Sequence, residues 1–184
     1  MHVYDSMAVF RRALDTDPLG RGPRKLMMNA LAASPRDVHI YVFEGKGAKA
    51  MRRRIYPGYK ERPSTMTDSF FDVVKVLREC LRHTSAMQID IDGFEGDDVI
   101  AAICQKYSGT QPIEVHSVDR DLHQLGVIPG VKVRVSPFKP AVPDRFVRLY
   151  KTYVGDPSDK IPGLAGFGPK SWAELDLDAL LAAH

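Results

Sequence analysis

Three short apolar runs in this chain each end on an acidic side chain. Residues 2–5 close on Asp5, residues 38–43 lead into Glu44, and residues 113–118 lead into Asp119. The second run is rich in β-branched and aromatic residues, the composition of a buried strand. Helix-like stretches separate the runs. Strands alternating with helices predict an α/β domain with a mainly parallel central sheet flanked by helices. Strands of such a sheet point the same way, and ligands gather at their carboxyl ends. The three carboxylates are therefore expected on one edge of the sheet.

The rest of the chain fits that alternation. Residues 20–23 read as a loop and 24–33 as a helix. Residues 66–83 form an amphipathic helix, with Phe70, Val73, Val74, Leu77 and Leu81 on one face. Residues 87–91 read as a strand, and 95–107 as a helix with Val99, Ile100 and Ile103 inward. A strand is expected over 131–135 and a helix over 143–153. Residues 155–168 read as a loop punctuated by glycine and proline, and a last helix starts near Pro169. At 184 residues the chain can bury one sizeable core.

A net charge of +3 does not announce a polyanion partner, so the distribution of charge has to be examined. Lys46, Lys49, Arg52, Arg53, Arg54, Lys60 and Arg62 crowd one segment, with Tyr56 and Tyr59 interleaved. Cys80 and Cys104 lack CxxC spacing and read as buried free thiols of a reducing compartment. No apolar run approaches the ~20 residues of a membrane span. The N-terminus lacks the pattern of a signal peptide, so a cytoplasmic protein without membrane contact is expected.

Acids are densest at Asp90, Asp92, Glu95, Asp97 and Asp98, followed by the pairs Asp119/Asp121 and Asp156/Asp159. Glu95 and Asp98 share a helix face. Crowded carboxylates raise one another's pKa unless cations hold them. With no close Cys/His set nearby, the natural cation is hard Mg²⁺ or Mn²⁺. An EF-hand beginning at Asp90 fails, because Glu95 stands at its glycine position and Ala101 at its final glutamate. Asp90-x-Asp92-Gly93 also resembles the nucleophile loop of haloacid-dehalogenase-type phosphatases, although Phe94 follows the glycine. That reading, with Asp90 as nucleophile, stays as an alternative. His116 and His123 flank the Asp119 loop and read as packing or surface residues.

Taken in order, these segments resemble the flap-endonuclease/5′–3′ exonuclease family, which has a PIN-like fold and includes the 5′-nuclease domain of bacterial DNA polymerase I and phage 5′-exonucleases. Tyr-Asp-Ser around Asp5 resembles the family's first strand, and Arg12 matches a phosphate-contacting arginine. Val-Phe-Glu-Gly around Glu44 is similar to Phe-Asp-Gly. Arg52 to Arg62 resembles Phe-Arg…Tyr-Pro-x-Tyr-Lys-x-x-Arg. Gly-Phe-Glu-Gly-Asp-Asp-Val-Ile-Ala, Ser-Val-Asp-Arg-Asp-Leu-His-Gln-Leu and Gly-Asp-Pro-Ser-Asp-Lys-Ile-Pro-Gly-Leu-Ala-Gly-Phe-Gly-Pro-Lys carry the most specific matches. Glu44 stands where aspartate is usual, Met51 where Phe is usual, and Lys160 where Asn is usual. PIN-type ribonucleases share the acidic centre but lack the last block.

The resemblance implies a structure-specific 5′-nuclease acting in replication or repair through two Mg²⁺ or Mn²⁺ ions. Their expected ligands are Asp5, Glu44, Glu95, Asp97, Asp98, Asp119, Asp121, Asp156 and Asp159. Arg52 and Lys60 are expected on the scissile phosphate. Tyr59 would stack on a terminal base, and Arg12 and Arg62 would contact nucleic acid. Gly166, Gly168 and Lys170 would belong to a helix–three-turn–helix that grips the duplex, with K⁺ bound there. The expected division is a catalytic core over 1–140, including a helical arch at about 46–83, and the duplex-binding element over 141–184. Expected partners are DNA with 5′ ends, flaps or nicks, an RNA–DNA hybrid, and a separate DNA polymerase, with the chain acting as a monomer. A second reading is a nucleic-acid-binding protein whose metal site is weakened by Glu44.

Overall fold

The computed structural model describes residues 1–17, 21–33, 36–61, 67–135 and 142–183. Five strands form the main sheet: β1 (His2–Asp5), β2 (His39–Val42), β3 (Met87–Ile89), β4 (Ile113–Ser117) and β5 (Val131–Val135). Their order is β3-β2-β1-β4-β5, and every neighbouring pair is parallel. From β1 the chain builds outward through β2 and β3, then returns to the other side of β1 for β4 and β5. The direction of building therefore reverses between β1 and β4. At such a switch point a crevice opens outside the carboxyl ends of the strands.

The helices among the described residues are α1 (Ser6–Thr16), α2 (Arg21–Leu31), α3 (Ala50–Ile55), α4 (Asp68–Leu81), α5 (Gly96–Tyr107), α6 (Val147–Val154), α7 (Pro169–Ala173) and α8 (Leu177–Ala182). Period-two alternation along the strands divides two cores. Val3, Ile40, Val42 and Val115 pack on one face with Val99, Ile100 and Ile103 of α5. Tyr41 and Phe43 pack on the other with Phe10 of α1, Ala30 of α2 and Leu77 and Leu81 of α4. A third, smaller core joins Phe146, Leu149 and Trp172 in the last part of the chain. No helix among the described residues is long and apolar enough to cross a membrane.

Several elements differ from expectation for local reasons. The stretch expected as a loop at 20–23 contains the start of α2, and residues 18–20 lie outside the described residues. Pro23 is tolerated there because a first helical turn has unpaired N–H groups anyway. Helix α4 begins at Asp68 because Thr67 caps it, its Oγ1 accepting from the Phe70 N–H at 3.4 Å. Helix α4 is a core helix, burying Phe70, Val74, Leu77 and Leu81. Helix α3 buries no residue. The expected helix over 143–153 opens with a 3-10 turn at Asp144–Phe146 before α6. The expected loop over 155–168 contains a short antiparallel ladder, β6 (Gly155–Asp156) with β7 (Ile161–Pro162). A 3-10 helix, Arg120–Val127, connects β4 to β5.

Two glycines hold the site loops close. A Cβ at Gly45 would lie 1.8 Å from the Ile91 carbonyl oxygen, so the loop after β2 is pressed onto the loop after β3. Gly155 has φ +90, and its Cβ would meet the Gly163 nitrogen at 2.5 Å, so only glycine can begin β6.

Lys160 is exposed and adopts φ +57, a left-handed conformation that costs an L-residue roughly 1–2 kcal/mol. Asparagine tolerates this region far better. Lys160→Asn is therefore expected to raise Tm by about 2–4 °C, the shift about 1 kcal/mol makes in a domain of this size. Differential scanning calorimetry checks this, and an unchanged or lower Tm would contradict the strain assignment.

Candidate active site

The centre starts from Asp5, the last residue of β1. One carboxylate oxygen caps α1 by accepting from the Ala8 N–H at 3.2 Å. The other accepts from the Ser117 hydroxyl at 2.6 Å. Ser117 ends β4, so this bond spans the switch point. The same Ser117 oxygen accepts from the Asp119 N–H at 2.9 Å, which fixes the start of the next loop. Asp119 in turn accepts from the Asp121 N–H at 2.9 Å. Burial raises the Asp5 pKa, and the Ser117 bond only partly opposes this.

Asp5, Glu44, Asp97, Asp119 and Lys60 line one cavity of about 420 Å³, whose outer wall includes Arg11 and Arg12 of α1. A second cavity of about 540 Å³ shares Lys60, Asp97 and Asp119 and continues to Asp121, Asp156 and Asp159. A third, about 930 Å³, is lined by Arg52, Asp98, Asp121 and Asp159 and again by Asp97. Asp97, in the first turn of α5, thus faces all three. Burial first, and then the charges of Asp5 and Asp119, push its pKa up to about 8. Glu44 reaches solvent, yet nearby protein desolvates it enough to raise its pKa, with Glu95 adding repulsion.

Basic groups neutralise the remaining acids. Glu95 is 2% exposed and takes a hydrogen bond from the Tyr59 hydroxyl at 2.7 Å, one from Lys60 Nζ at 3.1 Å and an ion pair from Arg52 at 2.5 Å. Arg52 also grips both oxygens of Asp98, at 2.9 and 2.7 Å, a bidentate geometry. Asp98 accepts in turn from the Glu95 N–H at 3.1 Å. Lys60 lies 3.7 Å from Asp159. Burial alone would lower the Lys60 pKa, but its contacts with Tyr59 and Glu95 outweigh that and keep the ammonium charged. Lys151 of α6 bridges Asp121 and Asp156, and Asp156 also accepts from the Ser158 hydroxyl at 2.5 Å. Burial opposes ionisation of Asp156, but Lys151 and Ser158 outweigh it and lower its pKa.

All nine expected acids thus line or adjoin one continuous crevice. Among the described residues no three of them bring their oxygens within 4.8 Å of one another, and the lysines and Arg52 occupy the space between. Tyr59 is 5% exposed, with the charges of Lys60 and Arg52 over its ring at 5.1 and 5.7 Å. This placement supports Glu95 and Lys60, and Tyr59 also lines the third cavity. Arg62 lies outside the described residues. Gly166 and Gly168 sit in an open turn, and the exposed Lys170 follows in α7. Asp90 pairs with Arg78 and lines none of the three cavities. Lys151 and Ser117 were not anticipated. A lysine in the last turn of a helix suits the helix dipole in any protein, so its sequence signal is weak.

A family model for the N-terminal resolvase-like domain of 5′-3′ exonucleases matches residues 21–146. The chain is 30% identical over 158 residues to a 5′-3′ exonuclease of Aquifex aeolicus, covering 79% of this chain and 54% of that protein. It is 30% identical over 161 residues to DNA polymerase I of Rhizobium leguminosarum, covering 78% of this chain and 16% of that protein. The chain therefore spans only part of these relatives. A structure of T5 5′-exonuclease with zinc bound matches with a TM-score of 0.73 at 18% identity, covering 93% of this chain and 72% of that one. A complex of phage T5 flap endonuclease with DNA and metal ions matches with a TM-score of 0.61 at 17% identity, covering 94% and 72%. These two likenesses establish the fold.

An acid whose folded pKa is raised destabilises the fold as pH climbs from its ordinary value to the raised one. For Asp97 that window runs from 3.8 to about 8. In EDTA, Asp97→Asn is therefore expected to melt above the parent protein, with an advantage that grows from about pH 5 to about pH 8. Saturating Mg²⁺ should shrink or reverse the gap, because a cation favours the carboxylate. Parallel melting curves at all pH values would show that Asp97 carries no such strain.

Proposed function

Because the chain belongs to the 5′-3′ exonuclease family, we propose that it is a metal-dependent 5′-nuclease that hydrolyses phosphodiester bonds of DNA at 5′ ends, flaps or nicks. The observation that carries this reading is Asp97, which faces every cavity of an edge bearing Asp5, Glu44 and Asp119 and whose pKa is pushed up to about 8 by burial first and then by their charges. Such an edge favours a cation, and an all-oxygen donor set suits Mg²⁺ or Mn²⁺. Asp5, Glu44, Asp97 and Asp119 would hold one ion, and Asp121, Asp156 and Asp159 a second. When bound, a metal pair supplies an activated water and charge stabilisation for an in-line displacement.

The chain's own residues would do the rest. Lys60, charged and shared by two of the cavities, would swing from Glu95 to an oxygen of the scissile phosphate. Arg52, held by Asp98, would keep Glu95 neutralised while Lys60 is away. Lys151 would leave Asp121 and Asp156 as they take up a cation, so it acts as an internal placeholder. Arg12 on the outer wall would meet a neighbouring phosphate. The Gly166–Gly168 turn and Lys170 would hold the duplex backbone, with K⁺ at that turn. Such contacts read structure and salt more than sequence. An RNA–DNA hybrid as an additional substrate and a polymerase on a separate chain complete the proposal.

Cleavage of 5′-flap, nicked and blunt duplexes in Mg²⁺ or Mn²⁺, with an EDTA control, tests this. Asp119→Asn and Asp156→Asn are each expected to abolish cleavage while flap binding persists. Full activity in either would overturn the ligand assignment. Binding without turnover in Mn²⁺ by the parent protein would make it a nucleic-acid-binding protein instead. Lys60→Ala should lower kcat by orders of magnitude at nearly constant KM. An effect confined to KM would reduce Lys60 to a substrate contact.

A further inference from the structure

Running from the amino end of β1 to the middle of the sheet, the face turned toward α1, α2 and α4 carries a second polar cluster. His2 begins β1, and Glu114 and His116 lie on β4 beside it, with His2 paired to Glu114 in the parallel register. Asp5 closes the same β1 strand three residues later, about 10 Å away at the strand rise. His2 Nδ1 lies 3.1 Å from His116 Nε2, His116 Nε2 lies 3.3 Å from Glu114 Oε1, and His2 Nδ1 lies 4.0 Å from the same oxygen. Among the described residues, this is the one trio whose ligand atoms all fall within 4.8 Å.

The three separations define a circle of about 2.05 Å radius. That radius falls within the usual zinc–nitrogen and zinc–oxygen bond lengths, about 2.0–2.2 Å. The rings are held in place by stacking: His116 lies against Tyr4 at 4.5 Å and 11°, and His2 against His39 at 4.9 Å and 11°. His39 is 8% exposed, and its Nε2 has no hydrogen-bond partner. The side chains of His2, Glu114 and His116 are 30%, 22% and 26% exposed, so an ion can enter and a water can complete its shell. Burial holds the His116 imidazole neutral, its pKa lowered to about 4. Among the described residues Arg134, 58% exposed on β5, competes for this site, reaching Glu114 Oε1 at 2.5 Å.

We propose that His2, Glu114 and His116 form a binding site for Zn²⁺ or another borderline-soft divalent ion of the first transition row, separate from the carboxylate crevice. The donor chemistry sorts the ions. Two imidazoles and one carboxylate suit zinc, cobalt or nickel, whereas the all-oxygen crevice suits magnesium and manganese. A bound ion would tie the first strand to β4 at the end where Met1 and His2 enter the sheet.

The test uses the full chain carrying Asp119→Asn and Asp156→Asn, so that metal held in the crevice does not dominate. Co²⁺ alone is titrated and visible ligand-field absorption is read, because a nitrogen-containing four- or five-coordinate site absorbs far more strongly than an all-oxygen octahedral one. Saturable strong absorption is expected in this background. It should be lost with His2→Ala and weakened with Glu114→Gln. Adding Arg134→Ala should tighten cobalt binding, since a competing cation is gone. Zinc at a hundredfold excess over its dissociation constant should favour the folded state by a factor of about 100, seen as a higher Tm that His2→Ala removes. In the otherwise unaltered chain, His2→Ala should leave Mg²⁺-supported cleavage unchanged. Octahedral-type absorption only, or absorption indifferent to His2→Ala, would overturn the site. So would weaker cobalt binding after Arg134→Ala, which would mark the trio as a plain ion-pair cluster.

Discussion

Repulsion among carboxylates that the sheet forces together governs the rest of this molecule. A parallel sheet delivers Asp5 and Asp119 to one edge from adjacent strands, and α5 delivers Asp97 into the gap between them. None can leave without unravelling a strand end or a helix cap, since Asp5 caps α1 and Asp119 caps the 3-10 helix after β4. The fold answers at some positions by withholding ionisation, as at Asp97 and Asp5. At others it supplies basic groups, with Arg52 and Lys60 on Glu95 and Lys151 on Asp121 and Asp156. These two responses divide the crevice. In the inner part, near β1 and α5, no basic side chain among the described residues is bonded to Asp97. The outer part, near β6, already holds an ammonium. Divalent ions would therefore relieve strain in one place and exchange with a lysine in the other.

That division also explains the place of Glu95. It is the most deeply buried acid of the set, and two basic groups and a phenol surround it. A carboxylate in this position costs several kcal/mol to leave unpaired. It anchors Arg52 and Lys60 beside the cavities, and under the proposed function it would serve by aiming Lys60 at the phosphate. A sequence motif cannot separate an acid that binds metal from an acid that aims a lysine. Both carry the same charge, and only burial and partners distinguish them.

Much of the fold was legible because its signals are local. Apolar runs ending in acids, the helical spacing of Phe70, Leu77 and Leu81, and Pro169 at a helix start each follow from a few neighbouring residues. The parts that escaped depend on distant partners. The 3-10 helix at Arg120–Val127 is read poorly from periodicity because its repeat is short and its acids also suit a turn. Lys151 becomes meaningful only once α6 lies against the loop after β4, thirty residues earlier in the chain. Ser117 gains its role from a bond across 112 residues. His116 reads as a packing or surface residue and His2 only as the start of a strand, because the register that pairs β1 with β4 is what sets their nitrogens 3.1 Å apart.

Backbone strain sits where these distant pieces meet. The non-glycine residues with positive φ among those described are Lys60 and Lys160, at φ +46 and +57. Their loops are stitched together: the Lys60 N–H donates to the Asp159 carbonyl at 3.1 Å, and the Tyr56 hydroxyl donates to the Lys160 carbonyl at 3.0 Å. A left-handed lysine is unfavourable by itself and persists only when its surroundings over-determine it. At Lys60 the surroundings are Glu95, Tyr59 and Asp159, which fix the ammonium at the junction of two cavities. Relaxing that backbone would turn the charge away from the place where Asp97 and Asp119 converge. The strain at Lys60 is therefore tied to the position of its charge. At Lys160, whose side chain is exposed, it reflects only the turn that brings Asp159 under Lys60.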